Sequence, residues 1–263
     1  MTAPPHHLET SSDEHVAGAY ADCMRAPKKR TSPAVVYPET DEMGENALHR
    51  LIAELLRPML ARFFAERGVI ANVGANQFVY WAPGHPTKRI APDVYVLPGI
   101  DPDVAIPSWK TWETGVAPSF VLEVASDDYT KDYEDNPVLY DELGVKELVI
   151  FDPSARPGSR SRRVRWQVYR RLRGRGLVRV EVSQSDRVRS KVLGAWLRAV
   201  GSGDSLRVRC ALGVHGDELV LTEAEAERAQ KERERAGRIR AEAEVARLRA
   251  QLAKRSRPRS RPK

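Results

Sequence analysis

The sequence predicts an α/β fold in which a mixed β-sheet is flanked by helices and followed by a charged C-terminal helix. Three observations support this: an amphipathic segment near residue 50, a series of strand-like runs from residue 69 to 212, and a charged Ala/Glu/Arg-rich segment after residue 222. The 263 residues are 41% apolar, which suffices for one hydrophobic core. We therefore expect a disordered segment over residues 1–36, one domain over residues 37–221, and a charged helix with a basic tail over residues 222–263.

The first predicted helix follows the segment PETDEMGEN, in which Thr40 or Asp41 is suited to cap it. Its apolar residues recur with the i, i+3, i+4, i+7 spacing of one buried helical face. They are Leu48, Leu51, Ile52, Leu55, Leu56, Met59, Leu60, Phe63 and Phe64. Pro58 lies inside this pattern, so we expect a kink or a division there, and Gly68 is expected to end the helix.

Short runs rich in β-branched and aromatic residues predict the strands. They cover residues 69–73, 77–81, 90–97, 119–125, 147–152, 164–172, 177–183 and 206–212. A short helix over residues 138–143, closed by Gly144, separates the fourth run from the fifth. Gly174 lies between two later runs and predicts a hairpin turn.

The charges are distributed unevenly along the chain. Residues 1–155 hold 13 Lys/Arg against 24 Asp/Glu, whereas residues 156–191 hold 13 against two and residues 222–263 hold 14 against seven. Basic stretches attract polyanions by releasing counterions, and nucleic acid is the commonest such partner. The alternative is that these charges cover solvated strand faces and a solubilising tail.

Composition also excludes several classes of protein. No apolar run approaches the roughly 18 residues that span a bilayer, so no membrane helix is expected. The two cysteines, Cys23 and Cys210, exclude a disulfide scaffold and a cysteine-rich zinc site. A reducing cytoplasm fits this cysteine usage best.

The C-terminal segment 222–252 has high helix propensity, and Thr222 followed by Glu225 fits a capping box. Its large apolar residues are few: Ile239, Val245, Leu248 and Leu252. A long solvated helix is therefore expected. The alternative is a coiled coil that binds a partner through this helix, although the apolar seam is thin.

Two acids lie within apolar strands and are candidates for chemistry. They are Asp93, in Ile90–Val96 of the predicted third strand, and Glu123, in the fourth. A buried carboxylate costs several kcal/mol unless it is paired or binds a cation, and two neighbouring carboxylates repel each other. A hard cation such as Mg²⁺ relieves both problems. The alternative is that each acid faces solvent or pairs with a nearby Arg or Lys.

Three pieces of the sequence together resemble the restriction-endonuclease group called Uma-two, which is similar to the PD-(D/E)xK nuclease superfamily. These pieces, in order, are APDVYV, TWETGVAPSFVLEVAS and LYDELGVKELVIFDP. The resemblance extends over about residues 37–212 and implies a restriction-endonuclease-like core. It also implies an endonuclease that hydrolyses DNA with Mg²⁺, or with Mn²⁺ as an alternative, and a homodimer as the form that cuts two strands.

The same resemblance assigns roles to individual residues. Asp93 would be the first metal ligand, Glu123 the second, and the backbone carbonyl of Val124 would complete the coordination. Glu45, in the first helix, would assist through a second metal or a water, and His49 lies one turn further on. The alternative for Glu45 is a first-turn carboxylate favoured by the helix dipole.

The sequence departs from the family pattern at the catalytic lysine. In this group the lysine stands four residues before the tyrosine matched by Tyr140, and that position here is Asn136. A neutral amide cannot replace a cation that stabilises charge on a phosphate. Lys131 is near in sequence and is the candidate replacement, with an exposed loop lysine as its alternative. The runner-up function is therefore a nuclease-like module that binds DNA or protein without cleaving.

Overall fold

The computed structural model describes residues 47–156, 158 and 162–255. The segment 1–36, the capping candidates Thr40 and Asp41, and the basic tail after residue 255 lie outside the described residues. The helices are α1 (Ala47–Ala65), α2 (Thr111–Thr114), α3 (Asn136–Leu143) and α4 (Glu223–Arg255). A π-helical turn, Lys131–Asp135, leads directly into α3.

The strands of the described residues are numbered here in chain order. They are β1 (Ala71–Gly74), β2 (Val79–Tyr80), β3 (Arg89–Ile90), β4 (Val94–Pro98), β5 (Trp109–Lys110), β6 (Phe120–Val124), β7 (Glu147–Phe151), β8 (Trp166–Leu172), β9 (Gly176–Ser183), β10 (Arg187–Ser190), β11 (Ala195–Val200), β12 (Arg207–Leu212) and β13 (Glu218–Leu219). The predicted run over residues 90–97 is divided into β3 and β4. Pro92, which lacks an N–H group for a strand ladder, lies in the gap between them.

The central sheet has six strands in the order β1-β4-β6-β7-β8-β9. The β6–β7 pair is parallel and the other four neighbouring pairs are antiparallel, so the predicted mixed sheet is confirmed. Parallel neighbours need a crossover connection, and α3 supplies it between β6 and β7. The hairpin predicted at Gly174 joins β8 to β9.

Helix α1 covers one face of the central sheet, and its apolar spacing is confirmed. Its buried side chains are Ile52, Ala53, Leu56, Met59, Leu60, Phe63 and Phe64. They pack with sheet residues such as Phe120, Leu122 and Phe151. The helix runs through Pro58 without a division, and Gly68 follows its end with a left-handed φ of 64°.

The opposite face of the central sheet is covered by α3 and by a three-stranded sheet of order β3-β2-β5. Tyr140 and Leu143 of α3 pack in the same cluster as Val79, Trp109 and sheet residues including Val121 and Leu148. The mixed sheet is therefore flanked by helices on both faces, as the sequence predicts.

A four-stranded sheet of order β10-β11-β12-β13 packs on the other side of α1. Its apolar side chains Val188, Leu197, Val208 and Cys210 join the α1 cluster, so α1 lies between two sheets. The sequence predicts only β12 here. Strand β10 is four residues long and carries arginine at alternate positions, which gives it little of the apolar character by which strands are found. Strand β11 contains one arginine, Arg198, and is otherwise apolar, so its composition could have marked it as a strand.

Helix α4 begins at the predicted capping box. The Thr222 amide donates to Glu225 Oε2 over 2.8 Å, and the Glu225 amide donates to Thr222 Oγ1 over 3.2 Å. Residues 231–252 of the helix are exposed throughout. Among the described helices, none has the length and apolar character needed to cross a bilayer.

Candidate active site

Asp93 and Glu123 lie side by side on neighbouring antiparallel strands. Val94 of β4 is in register with Leu122 of β6, so Asp93, which immediately precedes β4, lies opposite Glu123. Cross-strand neighbours project from the same face of a sheet. Their exposed fractions are 8% and 6%, and the charge of Asp93 acts on the Glu123 carboxyl. The structure thus brings together the two acids that the sequence singled out.

The Asp93 carboxylate is fixed by the main chain of the neighbouring strand. The Val124 amide donates to Asp93 Oδ2 over 2.7 Å. The other oxygen, Oδ1, lies 3.7 Å from His49 Nδ1, which projects from the first turn of α1. One oxygen of Asp93 is therefore held by the backbone and the other faces the site.

The Glu123 carboxyl accepts a hydrogen bond from the hydroxyl of Tyr140 on α3. Burial, and then the negative charge of Asp93, raise the pKa of Glu123 well above its ordinary value, against a smaller opposite effect of the Tyr140 hydroxyl. Burial and the Glu123 charge also raise the pKa of Tyr140, so the phenol stays protonated as the donor. Without a cation, the pair therefore resists carrying two negative charges.

His49 completes one wall of this site. Burial by itself lowers the pKa of the imidazole, but the Asp93 carboxylate, the Asp132 charge and the Ala125 carbonyl together outweigh it, and the pKa of His49 is raised. Its Nε2 atom is buried and has no hydrogen-bond partner among the described residues. The sequence places His49 one turn after Glu45, and the structure adds its contact with Asp93.

Asp132 is a third carboxylate beside the pair, and the sequence did not single it out. Its exposed fraction is 7%, and its charge contributes to the raised pKa of both Glu123 and Tyr140. Oδ2 accepts from the Ser126 amide over 2.6 Å and from the Ser126 hydroxyl over 2.8 Å. Asp132, Asn136 and Tyr140 are spaced four residues apart, which places all three on one face of a helical segment. This spacing is the sequence pattern that could have identified Asp132.

Asn136, at the position expected for lysine, is buried and points into this cluster. Its Nδ2 donates to Asp132 Oδ1 over 3.3 Å, and its exposed fraction is 5%. Lys131, the candidate replacement, is exposed at the start of the π-helical turn, and its role stays a prediction. Glu45 lies outside the described residues. The Val124 amide orients Asp93, while the ligand role expected of its carbonyl is untested.

The acidic pair fits a hard divalent cation. Carboxylate oxygens are the ligands that such cations prefer, and the positive charge would relieve the repulsion that raises the pKa of Glu123. Across residues 47–156, 158 and 162–255, no three His, Cys, Asp or Glu side chains converge well enough to hold a metal ion. Among the described residues, Asp93 and Glu123 are the carboxylates that would hold a cation here.

The basic stretch 156–191 contributes both paired and exposed cations. Arg163, Arg170 and Arg171 each form an ion pair with an acid of the domain. Exposed members include Arg156, Arg162, Arg173 and Arg175. Part of the predicted positive charge therefore lies in ion pairs within the domain, and part is exposed to solvent.

The chain matches the model of a known protein family. The family model Uma2, described as "Putative restriction endonuclease", matches residues 38–201. Among solved structures, the chain is similar to "a putative nuclease belonging to DUF820" from Anabaena variabilis ATCC 29413, with 14% identity and a TM-score of 0.39 over 57% of this chain and 75% of that one. No curated protein sequence matches significantly.

Proposed function

This chain belongs to the Uma2 family, and from that premise we propose that it is an endonuclease that hydrolyses phosphodiester bonds of DNA with a bound divalent cation, Mg²⁺ or alternatively Mn²⁺. The observation that carries the proposal is the buried pair of Asp93 and Glu123 on adjacent strands. Two such carboxylates cost the fold stability unless a cation joins them, and they are a typical ligand set for one.

The residues around the pair would bind and orient the cation and the substrate. Asp93 and Glu123 would hold the cation, with the Val124 amide fixing Asp93 and the Tyr140 hydroxyl fixing Glu123. When bound, a divalent cation supplies Lewis-acid stabilisation of phosphate charge and lowers the pKa of water. The exposed arginines of residues 156–191 would attract the DNA backbone, which offsets the repulsion by the acidic first half of the chain.

Magnesium binding by calorimetry tests the proposal most directly. We expect wild-type protein to bind Mg²⁺ and Asp93→Asn and Glu123→Gln to lose that binding. Glu147→Gln is the matched control, because Glu147 is also a buried carboxylate but lies at the start of β7, where it pairs with Arg170. Cleavage of a labelled duplex should be lost in the same two variants and kept in the control. Cleavage that survives in either site variant contradicts the assigned site.

Asn136 favours a second candidate function, a nuclease-like module that binds DNA without cleaving it. The amide at this position gives the carboxylate cluster no positive charge, and the Asp132 oxygen that would pair with a lysine accepts from the amide instead. In this case the cation and the arginines would serve binding, and turnover would be absent.

Asn136→Lys separates the two functions. A lysine here would lie beside Asp132 and bring a cation to the site. If the wild type binds duplex DNA with a strong salt dependence but does not cut, and Asn136→Lys cuts, the second function holds. Cleavage by the wild type that is lost in Asp93→Asn supports the first.

A further inference from the structure

Arg163 joins the end of β7 to the loop that follows β6. Its Nη1 atom lies 3.1 Å from Asp152 Oδ2 and 3.1 Å from the carbonyl oxygen of Ser126. Its Nη2 atom donates to the carbonyl oxygen of Asp127 over 2.7 Å. The guanidinium group also lies over the ring of Tyr129, 4.6 Å from its centre. The guanidinium group therefore contacts three residues of this loop, Ser126 and Asp127 through hydrogen bonds and Tyr129 through its ring.

Asp152 holds the far end of the same segment. Its side chain is fully buried, and its Oδ2 atom accepts from the hydroxyl of Tyr133 over 2.7 Å. The same hydroxyl accepts from the Val164 amide over 3.1 Å. Tyr133 and Tyr129 are packed edge to face, with 5.3 Å between their ring centres. The segment 126–133 is thus held by hydrogen bonds to Arg163 near its start and to Asp152 at its end.

This fastened segment carries Asp132, whose carboxylate turns back onto Ser126. Because Ser126 is only three residues from Glu123, a shift of the segment would change the position of Asp132 relative to the Asp93–Glu123 pair. A buried ion pair is a weak source of net stability because desolvation offsets the attraction. Because the Arg163–Asp152 ion pair lies next to the acidic cluster, we assign it a role in positioning the segment 126–133.

We propose that Arg163, through Asp152, is a positioning residue that holds the segment 126–133 in the conformation that presents Asp132 to the Asp93–Glu123 site. This inference rests on the proposed metal-binding function. The chain offers a matched control in the ion pair of Arg170 with Glu147. Both acids are fully buried, both arginines are mostly buried, and the two pairs lie at opposite ends of β7.

Hydrogen exchange tests the structural part without any metal. In Arg163→Ala, amides of residues 126–133 should exchange about tenfold faster than in the wild type. Arg170→Ala should leave that segment unchanged even if both variants lose similar stability. Arg163→Lys should fall between them, because an ammonium group keeps the charge next to Asp152 but cannot span both carbonyl oxygens. Unchanged exchange in Arg163→Ala overturns the proposal.

Magnesium affinity of the same folded variants tests the functional part. We expect Arg163→Ala to raise the Kd for Mg²⁺ about 10-fold or more. Arg163→Lys should recover part of the lost affinity, and Arg170→Ala should bind Mg²⁺ with the wild-type affinity. Faster exchange combined with unchanged Mg²⁺ affinity overturns the positioning role. If wild-type protein binds no Mg²⁺, the proposed metal-dependent function fails, while the exchange result still decides whether Arg163 holds the segment.

Discussion

The main-chain amide of Val124 donates a 2.7 Å hydrogen bond to Oδ2 of Asp93, so the residue that follows Glu123 orients the acid opposite it. This bond couples the two strands at the point where the carboxylates meet. It also means that Asp93 depends for its geometry on the strand that carries Glu123 and not only on its own.

The first prediction separates this structural bond from the metal-binding role. Asp93→Asn keeps an acceptor for the Val124 amide, whereas Asp93→Ala leaves that buried amide without a partner. We expect the free energy of unfolding of Asp93→Asn to lie within about 1 kcal/mol of the wild-type value. That of Asp93→Ala should be lower by about 1–3 kcal/mol. Urea denaturation measures both. Equal stability of the two variants would mean that the hydrogen bond does not hold Asp93.

The second prediction concerns Tyr140, whose hydroxyl donates to Glu123. Tyr140→Phe removes this donor and should weaken Mg²⁺ binding about tenfold, because Glu123 loses the group that orients it. Tyr95→Phe is the control, since Tyr95 is also fully buried in the domain but its hydroxyl donates to Gln77 Oε1. A Tyr140→Phe variant with wild-type affinity would remove the tyrosine from the site.

The third prediction tests Lys131 as the replacement for the missing lysine. If it assists catalysis, Lys131→Ala should lower the turnover number about tenfold or more with little change in stability. Lys146→Ala is the control, because Lys146 is also exposed but lies three residues beyond the C-terminal end of α3. Identical turnover in the two variants would exclude Lys131 from the mechanism.

The fourth prediction is a pH dependence at the start of α4. The Thr222 amide and the Arg209 guanidinium lower the pKa of Glu225 below its usual value of 4.5. A lowered pKa means that the stabilisation is present above that value and is lost as the pH falls through the folded-state pKa. Glu225→Gln should therefore be less stable than the wild type by up to about 1 kcal/mol at neutral pH.

At acidic pH, below the folded-state pKa of Glu225, the difference between Glu225→Gln and the wild type should approach zero, because the wild-type carboxyl becomes protonated as the pH falls through that lowered pKa. Urea denaturation at both pH values measures the difference. A constant difference at both values would show that the charge of Glu225 does not contribute.

The fifth prediction concerns the exposed part of α4. Deleting residues 231–263 removes 13 Lys/Arg and four Asp/Glu, and the described part of this segment packs against no core residue. We expect the free energy of unfolding to change by less than about 0.5 kcal/mol. Affinity for duplex DNA and its salt dependence should both fall. Unchanged DNA affinity would indicate that the helix serves a different partner.

The sequence indicated most of what depends on local pattern. The spacing of apolar residues predicted α1, the capping box predicted the start of α4, and the strand runs predicted the six strands of the central sheet. Asp93 and Glu123 were found because a carboxylate in an apolar strand is unusual wherever the strand lies. Strand β10 was missed because it is four residues long and carries two arginines, and β11 was missed although it is largely apolar.

The remaining parts of the site were decided by tertiary structure alone. His49 and Asp93 are 44 residues apart in the sequence, and Arg163 and Ser126 are 37 apart, so no local sequence pattern indicates either contact. By itself, the sequence determined which acids would be costly to bury, because burial follows from the apolar residues around them. Only the folded chain decided which groups surround those acids, because that depends on how the strands and α3 pack.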